Sequence, residues 1–75
     1  MSRLVVIPGG EVPARAVNPD RVLLLEVHNA GGERCVVAHV QDVRSPIPVL
    51  FAGPGESDEA ALERAAARLA GGGAP

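Results

Sequence analysis

Four side chains near the middle of the chain, Glu26, His28, Cys35 and His39, are of types that bind metal ions or act in catalysis. If residues 29–32 form a hairpin loop, His28 and Cys35 become cross-strand neighbours, with Glu26 nearby. Zinc accepts all three ligand types, so His28, Cys35 and Glu26 are the candidate ligands. His39 lies roughly 13 Å from Cys35, at about 3.3 Å per residue of extended strand, so one ion cannot bind both. Because the compact spacings of zinc motifs are absent, we predict ordinary residues of a sheet surface and no metal.

The sequence offers no recognisable nucleophile. A reactive thiolate needs a helix N-terminus or a cationic neighbour, whereas Cys35 lies in mid-strand beside Glu26. We expect Cys35 to pack as a small apolar residue. Ser45 and Ser57 have no triad context and suit a turn and a helix cap. We therefore predict no catalytic residue, no cofactor and no enzymatic activity.

The glycine-containing turns at residues 9–10, 31–32 and 53–55 do not match a phosphate-binding loop. Such a loop closes on Gly-Lys-Ser/Thr, and the chain contains no lysine. Residues 53–55 precede a predicted helix start, where an anion could bind. Glu56, Asp58 and Glu59 already place negative charge there, so we interpret the segment as a structural turn.

Short apolar runs separated by turns predict several β-strands. Pro8-Gly9-Gly10 ends the first run, which is predicted to be an edge strand. Residues 11–17 form either a weak edge strand or a loop. Residues 21–43 form a β-hairpin about a glycine-containing loop. Pro48 places the last strand near an edge. The predicted strands other than 11–17 are 4–7, 21–28, 34–43 and 47–51.

Side-chain alternation assigns the two faces of the hairpin. One face is expected to lie against the core: Leu23, Leu25, Val27, Val36, Ala38 and Val40. The opposite face is mixed in character: Leu24, Glu26, His28, Cys35, Val37, His39 and Gln41.

A single helix is predicted from about residue 58 to residue 70. Ser57 is its expected N-cap, and the acidic residues before and after it favour the positive end of the helix dipole. The helical period places Leu62, Ala65, Ala66 and Leu69 in one narrow stripe that suits close packing on a sheet.

These elements predict one α+β domain over residues 1–75, with residues 71–75 as a flexible tail. The domain would be a small antiparallel sheet of three or four strands, centred on hairpin 21–43, with the helix on one face. The alternative is an SH3-like barrel of five short strands with an appended helix, which would bind peptide or nucleic acid. The sequence lacks the aromatic residues that line the binding groove for such ligands.

The small size of the chain favours association with a partner. It has 75 residues, one Phe, no Trp or Tyr and a single cysteine, so neither large aromatics nor an internal disulfide can strengthen its core. We expect a homodimer or a protein partner. The predicted interaction surface is the mixed face of the hairpin, at Leu24, Val37, His39 and Cys35.

Charge and composition exclude several other classes of protein. The formal net charge of -2 is too small to steer nucleic acid, and there is neither a basic stripe nor an aromatic platform for bases. No apolar run approaches the length of a membrane span, and the first residues do not resemble a signal peptide. We expect a cytoplasmic protein, and the complete use of arginine in place of lysine indicates a GC-rich, bacterial genome.

The strand-turn-helix segment resembles part of the HicB-like antitoxin domain. That family's helix start runs Gly-Asp-Thr, two variable or acidic positions, Glu-Ala-Leu and Asn-Ala. The corresponding residues here are 55–57, 58–59, 60–62 and 64–65. The resemblance covers about residues 21–70, although the family's Leu-Pro-Gly-Cys loop is absent. It implies a β-β-β-α domain that dimerises and binds a small ribonuclease toxin.

Overall fold

The computed structural model describes residues 4–70 and has the α+β architecture that the sequence predicts. Two antiparallel sheets, of two and three strands, pack with one helix around a common core. The predicted tail at 71–75 lies outside the described residues. Within residues 4–70, no helix is long and apolar enough to cross a membrane. The elements are β1 (Val5–Ile7), β2 (Arg15–Val17), a 3-10 turn (Pro19–Arg21), β3 (Val22–Ala30), β4 (Glu33–Val40), β5 (Ile47–Phe51) and α1 (Asp58–Leu69).

The first two strands form a separate hairpin, which rules out the barrel alternative. β1 pairs with β2 from Val5 opposite Val17 to Ile7 opposite Arg15, and β2 pairs with no strand of the second sheet among the described residues. Part of the ambiguous segment 11–17 is therefore a strand, but it does not close a barrel. The hairpin instead adds Ile7, Val12 and Val17 to the core, and α1 packs against β1.

The second sheet has the order β3-β4-β5, so β4 is central and β5 lies at an edge, as its proline predicts. The β3–β4 turn consists of Gly31 and Gly32, both with positive φ (61° and 86°), the backbone that a two-residue hairpin turn of type I′ needs. Val27 pairs with Val36 and Leu25 with Ala38, which confirms the predicted assignment of faces along most of the hairpin.

The exception is a β-bulge near the start of β3. The pairing shifts between Val22 and Leu24, so Leu23 has no partner in the β3–β4 register. An extra residue interrupts the strict in-and-out alternation of side chains. Leu23 was expected in the core, but 70% of it is exposed, and Leu24 beside it is 51% exposed.

The helix packs on the three-stranded sheet through its smallest residues. Ala61 and Ala65 are fully buried and Leu69 nearly so. The predicted stripe is thus shifted: Leu62 is only half-buried, and Ala66 is exposed rather than buried. Two alanines at the contact let the helix backbone approach the sheet, and Leu62 then packs at the margin of the core.

Two arginines stabilise the turn that precedes the helix by hydrogen bonds. The Arg64 guanidinium donates to both carboxylate oxygens of Glu56, at 3.0 and 2.8 Å, and to the carbonyl of Phe51. Glu56 also accepts from the Gly53 amide at 2.8 Å. These hydrogen bonds, that of Arg64 first, lower the pKa of Glu56 from 4.5 to about 2. Arg34 of β4 donates to the carbonyl of Glu56.

The helix itself begins as predicted. The Ser57 hydroxyl accepts from the amide of Ala60 at 3.1 Å, and Asp58 forms an ion pair with Arg34 at 2.6 Å. Glu56 is bound to Arg64 and to the Gly53 amide, and Asp58 is bound to Arg34. The segment is therefore a structural turn held by hydrogen bonds, in line with its interpretation from the sequence.

Candidate functional site

The side of the three-stranded sheet that faces away from α1 carries the polar side chains of the hairpin. Because facing residues in an antiparallel pair share a side of the sheet, the register defines this outer face. It consists of Leu24, Glu26 and His28 on β3, opposite His39, Val37 and Cys35 on β4.

One oxygen of Glu26 joins both histidines of the chain. Glu26 Oε1 lies 2.9 Å from His28 Nε2 and 2.8 Å from His39 Nε2. The two imidazole rings stand edge to face, with centroids 6.3 Å apart. A carboxylate only accepts hydrogen bonds, so each imidazole presents a protonated Nε2 to it. We call Glu26, His28 and His39 the outer-face cluster.

The backbone explains why these three side chains meet. His28 follows Glu26 by two residues on the same side of β3, and the rise of a strand leaves such neighbours within reach. His39 reaches Glu26 diagonally, since Glu26 pairs with Val37 and His39 follows by two residues.

The hydrogen bonds make Glu26 a stable anion. They lower the pKa of its carboxyl group, with the bond from His39 contributing most and that from His28 next. The side chains remain open to solvent: Glu26 and His28 are each 48% exposed and His39 is 35% exposed. The cluster is therefore an accessible group of one carboxylate and two imidazoles, held on two paired strands.

Cys35 lies across from His28, as the sequence predicts, but its thiol is not part of the cluster. Its Sγ is 3.6 Å from the Val36 carbonyl, and burial raises the pKa of the thiol. The structure brings Glu26 and His28 together as expected, and the third member of the group is His39 rather than Cys35. The sequence could have indicated His39, because the pairing of His28 with Cys35 places His39 diagonally opposite Glu26.

The residues predicted for an interaction surface differ widely in exposure. Val37 is 7% exposed, and Cys35 and His39 are half-buried, so Leu24 is the one that presents a large apolar surface. Leu23, its neighbour in the bulge, is still more exposed. Within the three-stranded sheet, apolar exposure is thus concentrated at the start of β3 rather than spread over the outer face.

β3 also presents a free edge. It pairs with β4 along one side, and no described strand pairs with its other side, although it spans nine residues. Beside it lies an apolar depression between the strand and the helix. This depression is lined by Pro19, Val22, Leu25, Ala66, Leu69 and Ala70.

Comparison of the chain with protein-family models, with curated proteins and with solved structures found no match in any of the three.

Proposed function

We propose that this protein is a non-enzymatic interaction module that forms a homodimer through the free edge of β3. The observation that carries the proposal is the coincidence of an open nine-residue edge with two adjacent exposed leucines, Leu23 and Leu24. An open edge offers a row of unpaired main-chain donors and acceptors, which natural proteins cover or disrupt. Apart from its bulge, β3 has little to prevent pairing: it contains no lysine or proline, and Glu26 is its one acidic residue.

A second copy is the partner that this edge fits best. A strand that pairs antiparallel with its own copy generates a two-fold axis, so one surface serves both subunits. The result is a continuous six-stranded sheet with both outer faces on one side and both helices on the other. The apolar depression lies beside β3 on the helix side of the sheet, so it adds apolar surface next to the pairing edge.

Sedimentation velocity with a matched pair of variants tests the homodimer. The full chain at micromolar concentration is expected to sediment with twice the mass of one chain. Leu24→Asp places a charge at the pairing edge and is expected to produce monomers. Val6→Asp places the same charge on a 66% exposed valine of the other sheet and should leave the dimer intact. Circular dichroism confirms that each variant folds.

Two results would overturn the homodimer: a monomeric wild-type chain at micromolar concentration, or a Leu24→Asp variant that remains dimeric. Amide exchange adds a local readout. The amides on the free side of β3 are expected to exchange more slowly as the protein concentration rises, and rates independent of concentration would count against edge pairing.

The resemblance to the HicB-like antitoxin domain suggests a small ribonuclease toxin as a second kind of partner. Its support is the helix-start motif at residues 55–65, together with the order of three strands and a helix from β3 to α1. The test is whether a ribonuclease encoded by an adjacent gene forms a complex with the chain and loses activity. An active toxin that elutes separately would remove this candidate.

A further inference from the structure

The outer-face cluster has the composition of a metal site. It brings together two imidazole nitrogens and one carboxylate oxygen, and one ligand atom from each residue lies within 4.8 Å of the others. Imidazole suits zinc, copper, iron and nickel, whereas magnesium and calcium prefer sites made only of oxygen. Two histidines and one carboxylate form one of the ligand sets that hold zinc with its fourth position open.

The distances fit an ion after small adjustments. Zinc binds nitrogen and oxygen ligands at about 2.0–2.2 Å, so the ligand atoms of a tetrahedral site stand about 3.4 Å apart. Glu26 Oε1 is now 2.8 and 2.9 Å from the two Nε2 atoms, so each of these distances must lengthen by about 0.5 Å. The ligand nitrogens of the two histidines lie within 4.8 Å of each other and must come to the same spacing. Side chains that are 35–48% exposed can make such a shift without any change in the core.

The protons can be accommodated as well. In the hydrogen-bonded cluster each Nε2 carries a proton that points at Glu26, and an ion needs the lone pair of that nitrogen. A neutral imidazole meets this need by moving its proton to Nδ1. The ion then replaces two protons as the positive partner of the Glu26 carboxylate.

We infer that Glu26, His28 and His39 bind one divalent transition-metal ion, of which Zn²⁺ fits the ligand set best. The strands fix the three Cα positions through the β3–β4 register, so only side-chain rotations are needed to form the site. Water would complete the coordination from the solvent side. The inference is independent of the proposed homodimer, because the cluster lies on the outer face whereas the dimer uses the edge of β3.

Titration of the full chain with Zn²⁺ against a chromophoric chelator tests this site. The expected result is one ion per chain, with no comparable binding of Mg²⁺. Glu26→Gln, His28→Ala and His39→Ala are each expected to weaken binding by about tenfold or more, the loss that even an outer partner of a metal ligand causes. Cys35→Ser is the matched control, since Cys35 faces His28 but its thiol lies outside the cluster, and its affinity should be unchanged.

Nitrogen NMR of the imidazoles identifies the ligand atoms. Zn²⁺ is expected to shift the Nε2 signals of both His28 and His39. The inference is overturned if the wild-type chain does not bind Zn²⁺, or if His39→Ala or Glu26→Gln binds as tightly as wild type. Loss of binding in Cys35→Ser would also overturn it, because the thiol would then be the third ligand.

Discussion

Truncation of Ile7 to alanine is expected to destabilise the whole domain, although Ile7 lies in a strand of only three residues. Ile7 is fully buried, and it belongs to the same core cluster as Val36, Ala65 and Leu69. The β1–β2 hairpin pairs with no strand of the larger sheet among residues 4–70. Apolar side chains such as Ile7 are therefore what connects it to the rest of the molecule.

The size of the effect follows from the atoms removed. Ile7→Ala deletes three carbons, worth about 0.8 kcal/mol each on transfer from water, or about 2.4 kcal/mol together. The cavity left behind adds to this, so about 3 kcal/mol is expected, within the range of measured Ile→Ala changes. Ile7→Val removes one carbon and should cost about 1 kcal/mol. A chain of this length has a total stability of roughly 4–11 kcal/mol, so the alanine variant loses a large part of it.

Urea unfolding at a fixed protein concentration measures these differences, and a fixed concentration is needed because a homodimer's stability depends on it. Thermal unfolding should show Tm lowered by about 12–24 °C for Ile7→Ala. Val6→Ala is the control, since Val6 is the 66% exposed neighbour in the same strand and should change stability little. Equal losses in Ile7→Ala and Val6→Ala would refute the view that the β1–β2 hairpin belongs to the cooperative core.

Three further predictions concern the turn before α1. Because the pKa of Glu56 falls from 4.5 to about 2, its contribution to stability is full above about pH 4.5 and is lost as the pH falls toward 2. In Glu56→Gln, acid titration of the free energy of unfolding should show less decline over that interval, whereas a wild-type slope would contradict the role of the Arg64 contact. Ser57→Ala should cost about 1 kcal/mol and Ser57→Gly only a few tenths, as urea unfolding can measure. Gly55→Ala should cost about 1–2 kcal/mol in the same assay, because Gly55 has φ +78°, while Gly53→Ala, whose Cβ would meet no atom nearer than 3.7 Å, should be close to neutral.

The parts of the fold that could be predicted from sequence are those set by local chemistry. Gly31 and Gly32 permit the positive φ angles of the tight turn, and with side-chain alternation this fixes the register of most of the hairpin. Ser57 marks the helix start because its hydroxyl satisfies a free amide of the first turn. Each of these features depends on residues that are close together in the chain.

The features that sequence reasoning missed depend on contacts between distant segments. Alternation alone cannot locate the bulge at Leu23, since one extra residue leaves the apolar pattern of β3 unchanged. The burial of Val12 depends on where the first hairpin packs. The contact of Glu26 with His39, rather than with Cys35, was missed for a similar reason. A diagonal neighbour is apparent only once the register is known.

The packing of β1 on α1 has a consequence for the order in which the chain folds. About 50 positions separate these two elements, so bringing them together costs about 3.5 kcal/mol of loop entropy if the intervening chain is flexible. The β3–β4 hairpin closes over two residues, and hairpins of this kind form in microseconds. We therefore expect β3 and β4 to pair first and to shorten the loop that must close. During synthesis, the apolar side of the β1–β2 hairpin stays exposed until α1 has left the ribosome, and this period is when the nascent chain is most prone to aggregate.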